Sequence, residues 1–255
     1  MSLDALTTAA EAPGFYGKLP ARGDFIGRRL ARSFTEAWDA WLQQAILASR
    51  EALGASWLDL YLVSPLWRFA LGAGACGPDP VAGVMMPSVD AVGRYFPLML
   101  GRQLAAGSDP AAFLPSAGAW YAALEELALA ALVDGFDLSA LDRPLPLPVA
   151  ADGRAGAAAG EAPPGPGLHV PLGDDAAIAD ICRGETRAAK VGSIWWTTGS
   201  ERVVPCLLFC PGLPMPAAFA SLLDGDWQGR EWRCAAPPDA AASSADSEPA
   251  WDREE

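Results

Sequence analysis

The stretch LWRFALGAGACGPDPVAGVMMPSVDAVGRYFPLML, Leu66–Leu100, carries three short apolar runs separated by glycine and proline. Leu66–Leu71, Val81–Met86 and Phe96–Leu100 each have strand length, and turn-forming residues fill the intervals. The spacing predicts strands joined by hairpin-like turns. Upstream, Phe15–Leu19 reads as a first strand. Ser33, with Glu36 three residues later, has the capping-box spacing that satisfies two free backbone donors and opens a helix. Phe34, Trp38, Trp41, Leu42, Ala45 and Ile46 then recur at helical spacing, which places both tryptophans on one buried stripe, and Gly54 supplies the stop. Downstream, Asp109 and Pro110 open a second long helix, through Trp120 and Leu124 to about Leu132. A short helix near Ala176–Cys182, strands at Val191–Trp196 and Val203–Phe209 and a final helix at Ala217–Leu223 complete the pattern. Helices alternate with pairs of strands, so the sheet is mixed or largely antiparallel with helices on its faces. Trp195 and Trp196 are neighbours on one strand and must face opposite sides of it. Both belong to the core if helices cover both faces.

The chain has 255 residues, 51% hydrophobic and 19% charged, with a formal net charge of -13. That is ordinary globular composition, and the length buries a core without disulfide or metal support. Nucleic acid is an unsuitable partner, because phosphate binding needs clustered Lys and Arg. Arg28, Arg29 and Arg32 do cluster, in one short stretch; most such runs are solvated faces. Met1–Gly14 lacks a basic start and a continuous apolar core, so no secretory signal is expected. No stretch approaches the roughly 20 apolar residues of a membrane span. The five cysteines are irregularly spaced, none forms a CxxC pair and His169 is the one histidine. That argues for reduced cytoplasmic thiols and against a zinc site.

Three stretches read as poorly ordered. Residues 1–12 form a disordered N-terminus, and an Ala-, Gly- and Pro-rich insertion runs from about 145 to 167. Residues 235–255 form a disordered acidic tail in which Trp251 marks a possible short docking contact. The remainder, 13–234, is expected to be one domain.

One pattern matches a catalytic template. Gly72–Gly77 is a formal GxGxxG after a strand, but Pro78, Asp79, Pro80 and another strand follow it. Without a helix there is no dipole to hold a pyrophosphate, so the glycines are read as a flexible hairpin loop. No phosphate loop GxxxxGK[ST] and no GxSxG elbow is present, and no serine has an evident base. The expectation is a protein that is no enzyme and uses no cofactor. The rival reading is a nucleotide- or small-molecule-binding enzyme using the Gly72–Gly77 loop with Ser88, Asp90 and Arg94.

Polar residues inside glycine-rich or apolar segments form the candidate site: Lys18, Arg22, Asp24, Arg28, Arg68, Ser88, Asp90 and Arg94. Charges there are costly to bury unless they pair. Two roles stand side by side. Either these residues anchor a partner, or Asp24, Asp90, Arg68 and Arg94 form a structural ion-pair network that fixes the loops. The segments GFYGKLPARGDFIGRRL, WDAWLQ, WLDLYLVSPLWRFAL and GVMMPSVDAVGRYFPL, with the later SIWW at Ser193–Trp196 and Gly212-Leu213-Pro214, closely resemble the TagF (ImpM) family of bacterial type VI secretion-associated proteins. The resemblance runs from about Gly14 to Leu223 and fails over the insertion and both tails. It implies a three-layer α-β-α sandwich similar to longin-like folds. It also implies a cytoplasmic, post-translational repressor of type VI secretion that binds the forkhead-associated scaffold protein of that machine. Some relatives carry a fused phosphatase domain; none is expected after Leu223, so any phosphatase would be a separate protein.

Overall fold

The computed structural model describes residues 11–148, 165–173, 178, 181, 182, 184 and 191–235. Among these residues nine strands form one sheet: β1 (Gly14–Gly17), β2 (Ile26–Arg28), β3 (Trp67–Leu71), β4 (Val81–Met86), β5 (Leu98–Gln103), β6 (Leu168–Pro171), β7 (Ser193–Thr197), β8 (Cys206–Cys210) and β9 (Arg233–Cys234). Their order across the sheet is β2-β1-β5-β4-β3-β7-β8-β6-β9. The pairings are antiparallel except the one between β6 and β9 at one edge. The sheet is therefore mixed and largely antiparallel, as the hairpin spacing predicts.

Side chains alternate across each strand, and each face meets its own helices. On β3, Trp67, Phe69 and Leu71 point to one face, where α1 (Arg32–Leu53) and α2 (Trp57–Leu62) cover them. Ala70 points to the other, with Val84, Leu98 and Leu100, under α3 (Pro110–Phe113) and α4 (Gly118–Ala130). A last short helix, α5 (Ser221–Asp224), joins the first face. Three layers result. Trp195 and Trp196 go to opposite faces and both are buried.

Several boundaries differ from the sequence reading for physical reasons. The long helix starts at Arg32 with Ala31 as its uncapped N-terminus, so Ser33 lies inside the first turn and the capping box does not form. Glu36 instead accepts from Arg32 at 2.7 Å on a solvated surface. The second predicted helix is broken, because Pro115 within the 3-10 turn Leu114–Ser116 has no N–H to donate. Asp109 does accept from the Ala111 N–H at 2.9 Å, so that start was correctly read. β5 and β8 begin beyond Pro97 and Pro205, two residues that cannot join the ladder as donors. The predicted helix at Ala217–Leu223 resolves into a 3-10 turn at Pro216–Ala218 and α5. The sequence reading missed β2, β6, β9 and α2. Glu11 and Ala12 belong with the packed body: Ala12 is buried and the Glu11 carbonyl accepts from the Leu145 N–H at 3.0 Å. Most of the expected insertion, most of the helix near Ala176–Cys182, and the tail beyond Ala235 with Trp251 lie outside the described residues.

Candidate functional site

The cluster forms where the chain leaves β1 and where the β4–β5 connection folds back. Gly17 ends β1 with φ +140°, and a Cβ there would stand 2.2 Å from the Pro97 carbonyl oxygen, so only glycine lets these two segments touch. That contact brings Lys18 under the small hairpin Ser88–Phe96. Ser88 Oγ donates to the Lys18 carbonyl at 2.7 Å. Tyr61, on α2, clamps Ser88 from the other side: its hydroxyl donates to the Ser88 carbonyl at 2.9 Å and accepts from the Ser88 N–H at 3.0 Å. Gly93, at φ +84°, turns the hairpin so that the Arg94 N–H reaches Asp90 Oδ1 at 2.8 Å.

Asp90 is the centre. Its side chain has no solvent exposure. Oδ1 accepts from the Val92 and Arg94 N–H groups, and Oδ2 pairs with the Lys18 ammonium and, at 2.6 Å, with Arg94 Nε. Burial alone would push this carboxyl up. The Lys18 ammonium, the Arg94 N–H and guanidinium and the Val92 N–H outweigh that and hold it well below the usual carboxylate range. A carboxylate so stabilised is a weak base with no lone pair turned to a ligand. It holds two loops together.

The structure separates the other candidates. Arg68 makes a two-pronged ion pair with Glu125 of α4, at 2.6 and 2.7 Å, on the opposite face of the sheet. Arg28 pairs with Asp142 at 2.6 Å, and Arg29 pairs with the same carboxylate. Arg22 and Asp24 point into solvent and make no side-chain hydrogen bond or ion pair among the described residues. The expected single network of Asp24, Asp90, Arg68 and Arg94 therefore does not assemble. Only Asp90 and Arg94 of that set meet; Arg68 is drawn to α4, and Asp24 stays outside. Sequence reasoning missed Phe25, Tyr61 and Val92, because uncharged residues in a loop or helix carry no pairing signal. Phe25 lies 46% exposed against Phe96 and Tyr16, with the Lys18 ammonium 4.6 Å from its ring centre.

The glycine loop behaves as the sequence suggests in one respect: it is a hairpin connection between β3 and β4 that leads into no helix. It is pinned rather than slack, with the Gly74 N–H donating to the Gly77 carbonyl at 2.8 Å and Cys76 buried against α1. Burial pushes the thiols of Cys76 and Cys210 up to about 12, which leaves them protonated and unreactive. Among the described residues no group of His, Cys, Asp or Glu is arranged to hold a metal ion. His169, on β6, stacks on Trp227 at 4.4 Å, and burial pushes its imidazole down to about 4. The unfolded chain takes up that proton near pH 6.5 and the folded one does not, so His169 favours the fold above pH 6.5 and that advantage fades as pH falls toward 4. Between pH 7 and 5 the wild type should lose about 1–2 kcal/mol more stability than His169→Phe. Urea unfolding of both proteins at the two pH values checks this; parallel losses would contradict it.

The whole cluster, from Lys18 to Arg94, lies within the part of the chain that matches a known family. The family model described as the TagF N-terminal domain, type VI secretion system-associated, matches residues 14–146, just over half of the chain. The chain belongs to the TagF family of type VI secretion-associated proteins. Among solved structures it is similar to PA0076 from Pseudomonas aeruginosa PAO1, known as a crystal structure: 35% sequence identity and a TM-score of 0.66, covering 84% of this chain and 95% of that one. No curated protein matches it. Among the described residues no helix is long and apolar enough to cross a membrane.

Proposed function

We propose that this protein represses type VI secretion after translation by binding a cytoplasmic forkhead-associated scaffold protein of that apparatus. The observation that carries the reading is the division of labour in the cluster. Lys18, Ser88, Asp90 and Arg94 bond to one another, Ser88 also to Tyr61 and Arg94 also to the Gly23 carbonyl, while Arg22, Asp24, Phe25 and Val92 on the same two loops face outward. A frame of that kind presents a preformed contact surface, and a contact surface is what a regulator acting by occupancy needs. The rival enzymatic reading loses its two supports. The Gly72–Gly77 loop opens no helix, and Asp90 is too strongly stabilised as an anion to act as a base.

The test is a pull-down of the tagged full chain from its own host's lysate, followed by titration calorimetry against the purified forkhead-associated protein. Deletion of the gene should raise type VI secretion, and its return should lower it. Absence of binding in calorimetry, with secretion indifferent to the deletion, would overturn the proposal.

A further inference from the structure

One end of the sheet carries most of the large apolar side chains that the fold leaves uncovered. Nine are exposed among the described residues, and five of them, Phe25, Leu62, Val63, Val92 and Val204, lie at that end. Phe25 precedes β2, Val92 sits in the connection from β4 to β5, Leu62 and Val63 lead toward β3, and Val204 lies in the turn from β7 to β8. Register sets Gly17 opposite Ile26, Tyr16 opposite Met99, Met86 opposite Leu98, Trp67 opposite Met85, Arg68 opposite Trp196 and Thr197 opposite Cys206. All four segments therefore meet the sheet at the same end. β2 and β8 stand six spacings apart in the strand order, so the row runs for about 29 Å at about 4.8 Å per spacing. Each end of the row also carries one cation and one anion. Arg22 and Asp24 stand beside Phe25, and Glu201 and Arg202 beside Val204. All four are exposed, and none makes a side-chain hydrogen bond or ion pair among the described residues. Arg94, between the two ends, is already paired with Asp90.

We infer that this end of the sheet is a contact between two copies of the chain, packed about a two-fold axis that crosses the middle of the row. An axis in that position sets the Phe25 end of one copy against the Val204 end of the other. Arg22 then meets Glu201 of the second copy and Asp24 meets Arg202 of the second copy, and symmetry makes each contact twice. An axis lying along the row would instead bring each charge toward its own duplicate, which is repulsive. Two copies of net charge -13 repel on average, so they meet where each offers free charges of both signs beside apolar surface to cover. A stable pair covers about 800 Å² on each copy. A row of about 29 Å, across three layers of roughly 10 Å each, supplies that much. Phe25 is already ordered against Phe96 at 4.8 Å and Tyr16 at 5.7 Å, so seating it costs little freedom. The inference does not rest on the repressor reading, but the two share a surface. A partner that takes these loops must first part the two copies, which gives the dimer a masking role.

The test is sedimentation equilibrium of the purified full-length protein, alone, over a concentration series. The expected result is a monomer–dimer equilibrium. Val92→Lys, at a side chain 70% exposed, should remove the dimer, and Val133→Lys, at an exposed position beyond α4, should leave it intact. Arg22→Glu and Glu201→Arg should each weaken the dimer about tenfold, since each turns two attractive contacts into repulsive ones. Joining these two reversals in one chain restores opposite charges at both contacts and should return the wild-type affinity. The substituted side chains are exposed, so the melting temperature of the monomer should stay in place. A protein that remains monomeric throughout the series would overturn the inference. So would a dimer indifferent to Val92→Lys, or joined reversals that associate no better than either one alone. No partner is present in this measurement, so a monomer leaves the repressor reading as it stands. A dimer with the expected pattern, from a protein that binds no forkhead-associated scaffold in calorimetry, keeps the inference and removes that reading.

Discussion

Replacing Asp90 with alanine should lower the unfolding free energy by about 3–5 kcal/mol, because it leaves a buried ammonium without its partner. The Lys18 side chain is only 6% exposed, and the Asp90 carboxylate is its ion-pair partner. The same substitution strips the acceptor from the Val92 and Arg94 N–H groups, so the turn loses its internal hydrogen bonds as well as its charge pair. Lys18→Met should cost less, since Arg94 and two N–H groups still hold the carboxylate it leaves behind. Urea unfolding of the two variants checks the order. The Asp90 effect should also persist between pH 7 and 5. A carboxyl whose folded pKa is depressed stabilises the fold above its unfolded value, about 3.9, and the contribution fades only as pH falls through the lower folded value. A loss below about 1 kcal/mol at pH 7 would mean that water replaces the carboxylate freely and that the loops are not held by this pair.

That pair also shows where sequence reasoning reached and where it stopped. Asp90 and Arg94, four residues apart across Gly93, are the two members of the expected network that do meet. Lys18 is 72 residues from Asp90, and nothing in its local sequence says which carboxylate it finds. Arg68 carried the same ambiguity and went to Glu125, because alternation on β3 turns it toward α4 while Trp67 and Phe69 face α1. The strands β3 and β4 were readable because Val81–Met86 is apolar throughout and the run ending at Leu71 is apolar but for Arg68; β2, three residues with two exposed, and β9, two residues, were not. Proline explains most of the misplaced ends. Pro97 and Pro205 delay strands, and Pro115 splits a helix whose apolar spacing runs through the break.

Trp38→Ala should cost a similar amount, about 3–5 kcal/mol, by opening a cavity between α1 and the sheet. Trp38 is fully buried and meets Phe34, Trp41, Phe69 and Trp195 with ring centres 5.0 to 6.0 Å away, so it joins α1 to both β3 and β7. The surrounding rings are rigid and cannot collapse into the space. Its indole nitrogen, however, has no hydrogen-bond partner among the described residues. A buried N–H without a partner is a standing cost, so Trp38→Phe gives up packing volume and sheds that cost together. Its net loss should stay below about 1.5 kcal/mol. Trp41 makes the opposite case on the same helix. Its indole N–H donates to the Pro214 carbonyl at 2.7 Å, and Trp41→Phe strands that buried acceptor. Trp41→Phe should therefore destabilise more than Trp38→Phe, by roughly 1–2 kcal/mol, although the lost volume is the same. Denaturant titration of the three variants separates volume from hydrogen bonding. Equal losses for the two phenylalanine variants would show that packing alone governs this layer.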